Sequence, residues 1–262
     1  MKTILDAIVD NKRKEVEILK KEFGYHHFEK QEHFSRTCIS LKQRLTEQEF
    51  GVIAEIKRKS PSAGNINTDL NIAGQGKLYA ESGIAGISCL TDNKYFGGSI
   101  EDLSQLREVV NVPILRKEFI IDEIQLFEAK AAGADALLLI AEILTKEEAL
   151  HLTIMAQSLG LEVIMECHDK KNLGKINDLV DVIGINNRNL HLQKTDIQTS
   201  LDLFHFIPAD RICISESGIQ SYNHIFELQK AGYNGALIGE SILKNTSPAE
   251  FISSLTLKND VC

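Results

Sequence analysis

A basic excess is missing from this chain: 29 Lys and Arg stand against 37 Asp and Glu, a formal net charge of −8 at pH 7. Proteins that hold nucleic acid usually show a basic excess, so nucleic acid is not an expected partner. An anionic small molecule stays open, because a pocket can be locally positive on an acidic protein. The cysteines are five, an odd number, and none forms a C-x-x-C pair. That usage fits a reduced compartment and no metal site. Cys89, Cys167 and Cys213 fall in or beside apolar runs and read as buried thiols. No run approaches the roughly 18 apolar residues of a membrane span. The opening Met1 to Asp10 is broken by Asp6 and Asp10, so it is no signal peptide. These absences point to a cytoplasmic protein without membrane or nucleic-acid partners.

What is present is a repeat. With 262 residues, 43% of them hydrophobic, the chain can bury a large core without staples. Residues 4 to 20 space apolar side chains as an amphipathic helix. A polar stretch with His26, His27 and His33 follows, then a short helical piece around Leu41 to Leu45. Residues 1–48 therefore read as a helical extension, and 49–262 as the main fold. From residue 51, short strand-like runs recur: Val52–Ile56, Ala85–Leu90, Val112–Leu115, Ala136–Ile140, Glu162–Met165, Val180–Ile185, Arg211–Ile214 and Ala236–Ile238. Helical stretches lie between them. Ser99 with Asp102 marks one helix start, and Thr145 with Glu148 forms a capping box. Gly83, Gly133, Gly160 and Gly232 sit where helices should stop. One crossover is weak, because Gly74 and Gly76 interrupt it.

Alternating strands and helices imply parallel pairing with right-handed crossovers. A doubly wound open sheet is the competitor, but its G-x-G-x-x-G fingerprint is absent. Gly76-Lys77 is followed by leucine, so a P-loop fails too. Eight units without a nucleotide loop predict an α/β fold: a single (β/α)8 TIM barrel with an N-terminal helical extension.

Such barrels keep their active site at the carboxyl ends of the strands. The first strand runs into Glu55-Ile56-Lys57-Arg58-Lys59-Ser60, and the third into Arg116-Lys117-Glu118-Phe119. The fifth ends Glu166-Cys167-His168 and the sixth Asn186-Asn187-Arg188. The seventh ends Glu216-Ser217-Gly218 and the eighth Gly239-Glu240. Glu55 and Lys57, two apart, share a face, whereas Arg116 and Lys117 point oppositely, so only one of these faces the pocket. Several ionisable residues converging on one mouth are hard to explain as ordinary solvated strand ends. Ser217, Gly218, Gly239 and Glu240 follow the last two strands, where barrels often bind phosphate through backbone N–H groups. The Glu240 side chain would oppose a phosphate, so its backbone alone would help.

Three strings, Ala54 to Ser62, Lys94-Tyr95-Phe96-Gly97-Gly98-Ser99 and Pro113 to Ile120, resemble the indole-3-glycerol phosphate synthase family. So do Ile183 to Arg188 and Ser215 to Ile219. The resemblance runs from the first helix to about Leu243. It implies a lyase of tryptophan biosynthesis that needs neither metal nor organic cofactor. The family converts 1-(2-carboxyphenylamino)-1-deoxyribulose 5-phosphate to indole-3-glycerol phosphate, carbon dioxide and water. By this resemblance Lys117 is the general acid and Glu166 the general base. Lys57 meets the substrate carboxylate or phosphate, Glu55 holds the lysines, and Asn186 and Ser217 complete the polar ring. Ser60 joins the substrate contacts, Arg188 takes the carboxylate, and Leu90, Phe96, Phe119 and Leu138 line the aromatic slot. Lys57, Ser217, Gly218, Gly239 and Glu240 form the phosphate end.

The chemistry asks for such groups, since ring closure needs an acid at a carbonyl oxygen and later proton loss needs a base. A lysine near a second cation can also lose affinity for its proton and act as an acid near neutrality. Which of Lys57 and Lys117 serves the dehydration step is open. The loop from Arg58 to about Asp69 reads as a lid, and the first helix as a cover for the same rim. His168 reads as a surface or supporting residue rather than a reacting one. Asn189 stands where the family often has aspartate. Two other readings stay in play: a phosphoribosyl isomerase, and a non-catalytic anion-binding barrel that regulates a partner. A monomer is favoured, and the short tail after the last helix predicts no fused catalytic domain.

Overall fold

Eight parallel strands close on themselves in the computed structural model, which describes residues 3–61, 64–65, 70–189 and 194–256. The strands are β1 Gly51–Ile56, β2 Gly86–Leu90, β3 Ile114–Lys117, β4 Ala136–Ile140, β5 Glu162–Cys167, β6 Val182–Asn186, β7 Cys213–Glu216 and β8 Gly235–Ile238. Each pairs with its neighbours in sequence, and β8 returns to β1. All eight predicted runs are strands, with boundaries moved by at most two residues. Two short antiparallel pairs, Lys59–Ser60 with Gly64–Asn65 and Arg188–Asn189 with Lys194–Thr195, lie above the mouth-side ends of β1 and β6.

Helices fill the crossovers: α1 Ile4–Glu22, α2 Tyr25–Glu29 and α3 Leu41–Glu47 precede the barrel, and α4 Ile72–Glu81 follows β1. After β2 come α5 Asn93–Phe96 and α6 Ile100–Val109, then α7 Ile124–Ala132, α8 Lys146–Ser158, α9 Lys170–Leu173, α10 Gln198–Phe204 and α11 Tyr222–Ala231. After β8 come α12 Glu240–Leu243 and α13 Pro248–Thr256. The start signals hold, and the first is stronger than predicted: Ser99 with Asp102 closes a full capping box, as Thr145 with Glu148 does. Gly133 and Gly232 end α7 and α11 at φ 93° and 113°, a region that glycine enters without strain. The crossover read as weak is a regular helix. A Cβ at Gly76 would collide with Leu106 of α6, so glycine there permits close packing of α4 on α6.

The barrel has two apolar faces. Val52, Ala54, Ile87, Ile114, Leu137, Met165 and Ile183 point outward to the helices. Ile53, Leu115, Leu138, Ile164, Ile214 and Leu237 fill the interior. Helix α3 plugs the amino-terminal mouth with Leu41 and Leu45, both buried in that inner cluster. Ser40 and the Lys42 N–H donate to Glu162 at 2.5 and 2.9 Å, fixing the plug to β5. Asp135, fully buried, accepts from Arg36, Arg107 and the N–H groups of Ile39 and Ile114 at 2.6–2.8 Å. Cys89, Cys167 and Cys213 are buried free thiols, as expected. Among the described residues no helix is long and apolar enough to cross a membrane.

Candidate active site

Strand register decides which polar side chains enter the barrel. Residues paired across parallel strands share a face. Lys117 pairs with Leu90, Glu166 with Ile140 and Gly184, and Glu216 with Asn186 and Leu237, so this whole set faces inward at the carboxyl mouth. Arg116 takes the opposite face. It lies buried under α7, donating to the Gln125 carbonyl at 2.7 Å and to Glu128 at 2.5 Å.

Above this layer opens a cavity of about 520 Å³. Lys117 Nζ lies 3.0 Å from Glu166 Oε2 and 2.6 Å from Glu216 Oε2. Lys57 Nζ donates to Glu55 Oε1 at 2.5 Å. Asn186 Oδ1 accepts from the Arg188 N–H at 3.0 Å, and Arg188 itself sits 4.0 Å from Glu240. All of these groups line the cavity. So do Leu90, Phe96, Phe119 and Leu138 on its apolar side, with the Phe96 and Phe119 rings 6.0 Å apart.

Burial alone would loosen the Lys117 proton, but Glu166, Glu216 and Glu55 outweigh it and hold the ammonium well above the ordinary lysine range. This corrects the expectation that a second cation loosens its proton: carboxylates, not Lys57, dominate its surroundings. Burial also pushes the Glu166 carboxyl up, and the neighbouring Lys117 and His168 more than offset that, holding it down at about 2. Glu216 goes the other way. Burial raises it and the Glu166 charge adds to the rise, to about 8. Its Oε1 has no hydrogen-bond partner.

Just after β7, Ser217 and Gly218 are consecutive left-handed residues, φ 67° and 77°. Left-handed serine is costly and persists only where surroundings impose it. Here Asn187 donates to the Ser217 carbonyl at 2.9 Å and is itself locked by Ser200 and Ser215. Gly239 precedes the short α12, whose first residue Glu240 turns its carboxylate to Lys244 at 2.6 Å. Ser217, Gly218, Gly239 and Glu240 all line the cavity.

The first helix does cover the rim: Ile4, Leu5 and Ile8 contribute to the cavity wall. Lys12 anchors it through ion pairs to Asp92 at 3.2 Å and Glu118 at 3.0 Å. The basic start of the first loop is tethered as well, with Lys59 donating to the Lys94 carbonyl at 2.7 Å and Arg58 paired with Asp102. The Ser60 side chain, the Asn189 side chain and much of the loop read as a lid (62–63 and 66–69) lie outside the described residues. Glu216 is the important residue the sequence reading left without a role. The spacing says only that Ile214 and Glu216 share a face; that this face is the interior is a fact of the register. His168 is not at the surface: its side chain is 8% exposed, behind Glu166 and outside the cavity lining.

Comparison with known proteins points to one family. The family model described as indole-3-glycerol phosphate synthase matches residues 5–255. An indole-3-glycerol phosphate synthase of Bacteroides thetaiotaomicron is 42% identical over 254 residues, 97% of this chain and 98% of that protein. Its namesake from Exiguobacterium sibiricum is 42% identical over 259 residues, covering 98% of each. Among solved structures, the tryptophan synthase alpha subunit of Legionella pneumophila matches 82% of this chain and 96% of its own, at TM-score 0.61 and 15% identity, a likeness of fold alone. With a family model spanning nearly the whole chain and relatives this similar, the chain belongs to the indole-3-glycerol phosphate synthase family.

Proposed function

We propose that this chain closes the indole ring of 1-(2-carboxyphenylamino)-1-deoxyribulose 5-phosphate, releasing carbon dioxide and water. The observation that carries the reading is the Lys117–Glu166 pair, 3.0 Å apart, facing one cavity lined also by apolar side chains and by the glycine turns after β7 and β8. In this reading residues 49–262 form the catalytic barrel and residues 1–48 an extension packed on it.

The substrate aryl group lies against Leu90, Phe96, Phe119 and Leu138. The phosphate meets the backbone N–H groups of Ser217, Gly218, Gly239 and Glu240, with Lys57 nearby and the Glu240 carboxylate turned away to Lys244. Arg188 takes the carboxylate, and Ser60 adds a contact on the first loop. Lys117, kept charged by its carboxylates, protonates the carbonyl oxygen as the ring carbon attacks. Carbon dioxide leaves as its bonding electrons return to the ring. An ammonium then assists loss of the hydroxyl as water, and Glu166 removes the last proton. Glu55 keeps Lys57 in place, and Asn186 orients Glu166. Fixed charges aimed where charge develops are the largest expected contribution.

No step calls on a metal or organic cofactor. The partner is a phosphorylated small molecule, and the net charge of −8 speaks against nucleic acid. We take the working unit as a cytoplasmic monomer. Incubating the purified protein with the carboxyphenylamino substrate and following indole absorbance or fluorescence tests the reading. A folded sample that binds substrate without forming indole would instead favour a non-catalytic anion-binding barrel.

A further inference from the structure

The base has a rear neighbour that the reaction above does not use. Glu166 presents two oxygens to two different partners. Its Oε2 faces Lys117 across the cavity at 3.0 Å, and its Oε1 faces His168 Nε2 at 3.3 Å from behind. The other ring nitrogen, Nδ1, lies 3.5 Å from Glu142 Oε2, on the turn after β4. Neither nitrogen makes an aligned hydrogen bond, and both are shielded from solvent. A buried imidazole spends its polarity on some partner, since leaving a buried polar group unmatched is costly. Here the available partners are two carboxylates, one of them the base.

We propose that His168 is the positioning residue of the base: its imidazole, braced by Glu142, fixes the Glu166 carboxylate from behind while Lys117 holds it from the front. The inference rests on the assignment of Glu166 as base. The charged groups around the imidazole are Glu166 on β5, Glu142 after β4, the adjacent Asp169, and Lys117 beyond Glu166. Lys175, next along, donates to the carbonyls of Ala141 and Leu144 at 2.6 and 2.8 Å and so fixes the turn that carries Glu142. His168 is one of the neighbours that hold the Glu166 carboxyl low, behind Lys117, so its loss should let that carboxyl take up a proton more readily.

The test compares His168→Ala, His168→Gln and Glu142→Gln with wild type in the indole assay. In His168→Ala, kcat should fall ~10-fold or more with KM within ~2-fold, and the acid limb of the kcat/KM profile should move to higher pH. His168→Gln, which keeps a donor near the Nε2 position, should recover most of kcat but not the acid limb. Glu142→Gln, at a side chain 23% exposed, should lower kcat modestly. Wild-type kcat and an unmoved acid limb in His168→Ala would overturn the proposal. Equal losses in both His168 variants with a lowered Tm and an unmoved limb would also overturn it, marking a merely structural residue. A wild-type protein that forms no indole would sink the proposed function instead.

Discussion

The two mouths of the barrel both bury charge, and they treat it in opposite ways. At the amino-terminal mouth Asp135 accepts four hydrogen bonds, two from arginines and two from backbone N–H groups. At the carboxyl mouth Glu216 shares Lys117 with Glu166 and leaves one oxygen without a partner. A buried carboxyl group saturated with donors is inert and stiff. One left undersupplied keeps the capacity to bind a ligand or pass a proton, and it costs stability. The comparison therefore predicts that substitutions at the two mouths will separate rate from stability.

The largest expected effect is on rate. Lys117→Met should lower kcat/KM by about 10³-fold, within the range a lost general acid costs, while circular dichroism shows the native fold. A variant turning over like wild type would remove Lys117 from the reaction. The mirror experiment is Asp135→Ala, which strands Arg107 and Arg36 against a buried void. Breaking a buried ion pair on one side costs ~3–5 kcal/mol, so Tm should drop by roughly 10 °C. Rates measured below the transition should stay within ~2-fold of wild type. A slow enzyme with unchanged Tm would collapse the distinction between the mouths.

These contrasts also show what the sequence could and could not carry. The number of strands, the polar residues at their ends and the helix boundaries were legible because each is a local signal. The facing of those polar residues was not. Parallel strands in a barrel are buried on both sides, so a run such as Ile114-Leu115 is apolar on either face and carries no phase. Only the register, with Lys117 beside Leu90, says that Lys117 rather than Arg116 enters the cavity. Glu216 was passed over for the same reason. Gly74 and Gly76 misled in another way: propensity counts the helix by itself, and the close approach of α6 to Gly76 is a tertiary fact.

Gly184 sharpens the comparison from the other side. It pairs with Glu166 and faces the same interior, and a Cβ placed on it would collide with Glu216 Oε1. Its backbone lies outside the left-handed region, so alanine is conformationally allowed there. Gly184→Ala should push the Glu216 carboxylate off Lys117 and lower kcat by ~10-fold or more, since small misplacements near reacting groups are costly. A variant with native kcat would mean that Glu216 can move without consequence.

The smallest effect is a pH-dependent one, and it tests whether the undersupplied carboxyl is truly destabilising. The Glu216 carboxyl is raised in the fold to about 8, above its ordinary value. A group raised in this way contributes stability that is fully present below its unfolded pKa and is lost as pH rises through the folded value. Between about pH 4.5 and 8 the unfolded chain sheds this proton more readily than the fold does, so wild type is progressively penalised. Glutamine carries no titrating proton, and Lys117 keeps Glu166 as its partner. The Tm of Glu216→Gln relative to wild type should therefore improve from pH 5 to pH 9, by roughly 2–4 °C for each kcal/mol recovered. A difference that stays flat across that range would show that Glu216 is already ionised in the fold, satisfied by Lys117 alone. The two mouths would then differ in shape and not in how they hold charge.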